Sequence, residues 1–187
     1  GGVGGAGRGV RPRVAAMSRA VSLAFDLHKW MYMPFEAGCV LVRDEATHRR
    51  TFSLTPDYLT HATRGLAAGE RWPSDYGVQL TRGFRALKIW MSIVEHGTDR
   101  YARLIRQNVE QARYLAALVE RTPELELLAP VPLNIVCFRY TAPSLSGDAH
   151  DALNEELLLR LHENGVAVTS NATLRGRYGL RVGIVNH

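Results

Sequence analysis

The sequence predicts an α/β fold, with the second half forming a smaller α/β layer of its own. Three observations carry this. Two short apolar runs, at 21–25 and 39–42, have the length and the Val, Leu, Phe and Cys content of buried strands. Two longer stretches, 77–95 and 99–121, repeat apolar residues at three- and four-residue steps, the period of amphipathic helices. The last third alternates strand, helix, strand, turn, strand, a pattern that closes as a sheet covered by one or two helices.

The elements follow in order. Residues 1–20, "GGVGGAGRGVRPRVAAMSRA", are Gly- and Arg-rich and have neither a helical nor a strand period. Such a stretch lacks the apolar surface to order itself, so it is read as a loose or non-native start. "VSLAF" and "GCVLVRD" are the two strands, and "DLHKWMYMPFEA" turns between them. "TPDYLTHATRG" predicts a short helix with Thr55 as N-cap, Pro56 at the first helical position and Gly65 as its stop. "LAAGERWPSDYG" reads as a loop.

The first long helix places Leu80, Phe84, Leu87, Met91 and Val94 on one face and ends at Gly97. Thr98 caps the second, whose face carries Leu104, Ile105, Val109, Ala112, Leu115, Leu118 and Val119, and Pro123 ends it. "NIVCFRY" (134–140) is a strand, and "DAHDALNEELLLRLHENG" a helix with Asp148 as N-cap and Asn164-Gly165 as its stop. "VAVTS" (166–170) is a strand, "RGRYG" a turn, and "LRVGIV" (180–185) the last strand. The domain reading is a non-native or disordered 1–20, a first unit 21–97 and a second 98–187.

Composition narrows the classes. Of the 187 residues, 46% are hydrophobic and 22% charged, the balance of a globular domain. No apolar run approaches the ~18 residues that span a bilayer, so no membrane partner is expected. The net charge of +5 owes much to Arg8, Arg11, Arg13 and Arg19, and the other arginines are scattered rather than striped, so no nucleic acid is expected either. Cys39 and Cys137 have no metal-type spacing and read as reduced, structural thiols of a cytoplasmic protein, with no metal site.

The chemistry concentrates at "FDLHKW", where Asp26, His28 and Lys29 interrupt two apolar runs. A lysine amine becomes a nucleophile when a dry environment disfavours its charged form, and such lysines condense with aldehydes. A strand-end lysine that reaches for water fits the same position. His28 alone fits a structural histidine. Local sequence leaves both pairs of readings open.

The wider text resembles a family. "FDLHKW", "PFEAGCVLVRD", "LTPDYL", "RWPSDYGVQLTRGFRALKIW", "VCFRY" and "LRGRYGLRVGIVN", in that order from about residue 20 onward, resemble the group II pyridoxal-phosphate-dependent amino-acid decarboxylases, which include the aromatic-amino-acid, histidine and glutamate decarboxylases. The resemblance implies a partial type I PLP-dependent transferase fold: the lysine-bearing end of the large domain, the linking helix and most of the small C-terminal domain. It implies decarboxylation of an L-amino acid, an aromatic one among the candidates, by a PLP-dependent carboxy-lyase that works through a Schiff base on Lys29. Asp26 stands near the cofactor phosphate, His28 lines the same pocket, and Arg181 in "GLRVGIV" matches an arginine that holds the substrate carboxylate. Arg82 and Arg85, three apart on the first long helix, read as structural ion pairs. The implied partners are an amino-acid substrate and a second subunit in a homodimer.

The sequence departs from that family in three places. No Asp or Glu precedes Asp26, so the aspartate that pairs with the pyridinium nitrogen, the ring-stacking histidine and the phosphate loop have no counterpart, which implies the C-terminal part of a longer protein. Relatives continue past Asn186-His187. The loop "HATRGLAAGERWPSDYG" holds only Tyr76 where animal enzymes carry a proton-donating tyrosine; His61 and Tyr76 are the substitutes. An aminotransferase, an aldehyde synthase and an inactive or dimerising remnant therefore stand as alternatives.

Overall fold

The structure is a computed structural model; residues 15–53, 62–66, 68, 69 and 71–185 are described. It divides into two compact units, Gly1–Gly97 and Thr98–His187. No helix of the described residues is long and apolar enough to cross a membrane.

In the first unit, a single turn of 3-10 helix at Ala15–Arg19 precedes β1 (Ser22–Asp26). A one-turn helix α1 (Leu27–Trp30) and a seven-residue return lead into β2 (Gly38–Val42). The two strands pair antiparallel from Ser22↔Val42 to Asp26↔Gly38. Both form where their apolar runs predict them, but neither is buried as expected: Phe25, Val40 and Leu41 are exposed. A two-stranded ribbon has only its own backs to hide, and among the described residues no third strand joins it.

Helix α2 (Glu45–Phe52) was not anticipated from the sequence. Its signal is Asp44, which accepts a hydrogen bond from Thr47 N at 2.7 Å and so satisfies one of the helix's orphan amides. That bond, with help from Arg50, holds the Asp44 carboxyl below its ordinary pKa. The helix expected over 55–65 falls largely on residues outside those described, and 62–66 carry none. A 3-10 turn at Pro73–Tyr76 follows.

Helix α3 (Arg85–Arg121) is interrupted at Gly97, whose φ of 70° and ψ of 155° are not helical. The expected break is therefore present. The expected start at 77 is not: 77–84 are irregular and the helix begins at Arg85, so Arg82 lies outside it. Gly77 and Gly83 bracket that stretch and weaken helix initiation. The predicted apolar face is open to solvent, with Phe84, just ahead of the helix, 75% and Val94 64% exposed. The second half does bury its face: Tyr101, Val109, Ala112, Ala116 and Val119 are inside.

The second unit is built on an antiparallel sheet of order β3-β4-β6-β5. Its strands are β3 (Leu125–Leu127), β4 (Ile135–Tyr140), β5 (Ser170–Leu174) and β6 (Arg177–Gly183). Helix α4 (Asp148–Glu163) packs on β4, β5 and β6. Its N-cap is Gly147, not Asp148, which is the first helical residue and offers its charge to the helix dipole. Its end is as predicted: Gly165 has φ 64°, Gly165 N bonds His162 O and Val166 N bonds Leu161 O, the two hydrogen bonds of a Schellman cap.

β5 lies later than predicted. Val166 and Val168 are exposed and precede it, and the strand runs through the polar Ser170-Asn171-Ala172-Thr173. The turn into β6 takes only Arg175 and Gly176, with φ of 54° and 73°, the signs that a tight hairpin twisted with its strands demands. Arg177-Tyr178-Gly179, expected in the turn, are already strand.

Candidate active site

Asp26, His28 and Lys29 are brought together by one turn. β1 stops at Asp26, and Leu27 and Met33 bury their side chains beneath the turn, with Met33 N bonding Leu27 O at 3.1 Å. Ala37, fully buried, closes it. Its carbonyl accepts from Leu27 N at 2.7 Å and His28 N at 3.2 Å, and its own N–H donates to His28 Nδ1 at 3.0 Å. The Phe35 ring meets the imidazole edge-on, centroids 5.0 Å apart.

The Lys29 amine donates to an Asp26 carboxylate oxygen in an i,i+3 ion pair. That hydrogen bond, together with the Lys29 and His28 charges, holds the Asp26 carboxyl below its ordinary pKa, against a smaller upward push from burial. The lysine side chain is 68% exposed and the aspartate 40%. The dry pocket expected around the amine is thus not formed by this chain's described residues. What is formed is an accessible amine beside an acid.

An open cavity of about 1120 Å³ adjoins the turn without including Lys29 in its walls. Leu27, Gly38 and Cys39 line one side, Trp72 and Ser74 another, and the stretch from Gln79 to Ile89 the third. Polar contacts hold those walls. Arg49 on α2 pairs with the buried Asp75 at 3.2 Å, Tyr76 OH donates to Glu45 at 2.6 Å, and Arg82 donates to Pro73 O at 3.0 Å. Arg85 Nε donates to Glu36 at 2.8 Å and its Nη1 to Gln79 at 3.0 Å. The ion-pair reading holds for Arg85; Arg82 makes a backbone contact instead. The Glu45 bond, with burial behind it, raises the Tyr76 pKa above its ordinary value. His61 lies outside the described residues.

Arg181 belongs to the second unit. It sits on β6 opposite Cys137, half-buried, with Nη1 3.4 Å from Ser170 Oγ. Burial pushes the Cys137 thiol pKa up, and the Arg181 charge moderates that rise. Among the described residues, no group of three His, Cys, Asp or Glu has the geometry to hold a metal ion. Sequence reasoning missed Ala37, Glu36 and the Arg49–Asp75 pair. Asp75 and Glu36 carry no local motif, since their partners lie 26 and 49 residues away.

The conserved domain of the pyridoxal-dependent decarboxylases matches residues 3–141. The chain belongs to that family. An aromatic-L-amino-acid decarboxylase of Bacillus atrophaeus is 31% identical over 169 residues, covering 90% of this chain and 35% of that protein. A histidine decarboxylase of Drosophila melanogaster is 34% identical over 177 residues, covering 94% of this chain and 20% of that protein. Among solved structures, Oryza sativa TDC with PLP and tryptamine superposes with a TM-score of 0.85 at 28% identity, covering 94% of this chain and 36% of that one. The chain thus spans about a third or less of these family members, and its mixed α/β architecture is part of their fold.

Proposed function

We propose that this chain carries the lysine-bearing part of a PLP-dependent amino-acid decarboxylase, with Lys29 as the amine that holds the cofactor's aldehyde. The observation that carries this reading is the Lys29–Asp26 pair, an accessible primary amine beside a carboxylate within the stretch that matches the family. The residues present fit the cofactor at its aldehyde end: the amine is open to approach, and Asp26 accepts its proton-bearing hydrogen bond. When bound, pyridoxal phosphate supplies an electron sink for the pair left as a carboxylate departs as carbon dioxide.

The chain's own residues then divide the remaining work. Asp26 keeps the lysine amine at one place. His28, braced by Ala37 and Phe35, lines the same turn. Arg181 offers a guanidinium fork, the geometry that grips an α-carboxylate at two oxygens. An L-amino acid is the substrate and a homodimer the working assembly in this reading. The second reading, an aldehyde-forming enzyme, draws on Tyr76, whose hydroxyl is committed to Glu45. Amine plus carbon dioxide, keto acid or aldehyde in the products separates decarboxylase, aminotransferase and aldehyde synthase.

The test is covalent. The 187-residue chain mixed with pyridoxal phosphate is expected to develop an absorbance band beyond that of the free cofactor. Borohydride reduction is expected to fix the cofactor's mass onto the peptide containing Lys29. An identical spectrum from Lys29→Ala, or label shared evenly with the amine of Lys88, overturns the assignment.

A further inference from the structure

We propose that Arg85 is a positioning residue for the lysine turn, acting through Glu36 and Ala37 to hold the His28 imidazole in a single tautomer. Its meaning for the reaction rests on the Lys29 reading above; its physical content rests on geometry alone.

The tautomer follows from one contact. A backbone N–H only donates, and Ala37 N lies 3.0 Å from His28 Nδ1. Nδ1 therefore presents its lone pair, and in the neutral ring the proton sits on Nε2. The ring beside Lys29 thus offers an N–H at Nε2, the group that donates to a carboxylate or phosphate oxygen. Its lone pair is already in use.

The contact is only as fixed as the segment that bears Ala37. Phe35 rests against the imidazole on one side, and Ala37 is tied to residues 27 and 28 by three hydrogen bonds. Glu36 lies between them and is exposed, so nothing apolar holds it. Arg85 does. Its Nε and Nη2 both donate to Glu36 Oε1, and its Nη1 reaches Gln79 Oε1. Arg85 opens helix α3, so the fork is anchored to a regular element 49 residues along the chain. A guanidinium serves both acceptors at once because its donors are fixed in a plane, which an ammonium cannot reproduce. An ion pair this exposed adds little to global stability, so the effect of losing it is local.

Long-range proton–nitrogen NMR of the chain labelled with ¹⁵N-histidine, without cofactor, reads the tautomer directly, with His28→Gln assigning the signal. The expected result is one Nε2–H tautomer for His28 in the unaltered chain. Arg85→Ala and Glu36→Ala are each expected to mix the two tautomers while leaving the thermal midpoint within a few degrees. The double variant is expected to add nothing beyond either single one, the mark of two residues acting as a unit. A proton on Nδ1 in the unaltered chain overturns the proposal, as does an unchanged His28 pattern in both single variants. Failure of borohydride labelling with the tautomer intact removes the Lys29 reading and leaves this one standing.

Discussion

Single residues carry more of this fold than their number suggests. Asn154 is fully buried on α4, and its amide is spent completely: Nδ2 donates to Tyr140 O and His150 O, and Oδ1 accepts from Tyr140 N at 2.8 Å. Asn154→Ala strands both backbone groups of Tyr140, and a loss of about 1–3 kcal/mol is expected in urea denaturation. Gly179 is the opposite case, a residue defined by what it lacks. A Cβ there stands 2.5 Å from Leu128 Cδ1 and 2.7 Å from Phe138 O, and the carbonyl cannot move aside. Gly179→Ala is expected to cost roughly 1–3 kcal/mol by the same measurement. Asp26 makes a prediction in pH. Its folded-state pKa is lowered, so its pairing with Lys29 is complete above the ordinary carboxylate range and is lost as pH falls through the lowered value. A carboxyl ¹³C titration is expected to place Asp26 below a solvent-exposed reference aspartate; a value at or above that reference refutes the pairing. Of the lysine turn, the sequence made Asp26, His28 and Lys29 legible, because they stand out as polar residues between apolar runs. Ala37 was not legible: an alanine that works through its backbone has no side-chain signature.

At the scale of elements, local rules held where the chain settles matters by itself. The Gly97 break and the Asn164-Gly165 stop are backbone conformations that glycine alone takes cheaply, so they were readable. Gly165→Ala is expected to cost about 1 kcal/mol through its φ of 64°, seen as a lowered denaturation midpoint. β5 was misplaced because the Val-Ala-Val alternation before it imitates a strand. The polar residues that do form β5 are chosen by pairing with β6, which no local pattern reports. The β3-β4-β6 surface is joined by charge as well as by backbone. Glu126 accepts from Arg139 Nε at 3.1 Å and also from Arg177 Nη1. Burial pushes the Glu126 pKa up, but the two arginines outweigh it and the net shift is downward. The contribution is therefore present above the ordinary glutamate range and lost as pH falls through the lowered value. Glu126→Gln is expected to destabilise the chain by no more than about 1 kcal/mol at neutral pH, given the solvent around the pair. The difference from the unaltered chain is expected to vanish in mild acid; a gap that persists or widens there contradicts the assignment.

Over the whole molecule, apolar surface is unevenly placed. The second unit closes around Val119, Val136 and Leu180, whereas Leu87, Trp90, Met91 and Val94 lie uncovered along one half of α3, and Phe84 just ahead of it. Patches of that kind mark surfaces built to be covered or prone to association. The chain is expected to bind a hydrophobic dye and to self-associate with concentration in sedimentation experiments, and Leu87→Glu with Trp90→Glu to reduce both. Dye binding unaffected by that pair would place the exposed surface elsewhere. Sequence periodicity identified the residues that share this face; a period reports which residues share a side, not whether anything lies against it. Gly97 has a consequence of its own. The first half of α3 ends and the second begins across that one residue, so positions 96 and 98 stay within the roughly 7 Å that two peptide links can span. A side chain placed at Gly97 meets no atom within 4 Å yet still has to adopt a φ of 70°, so the toll of any replacement there falls on backbone conformation and not on crowding.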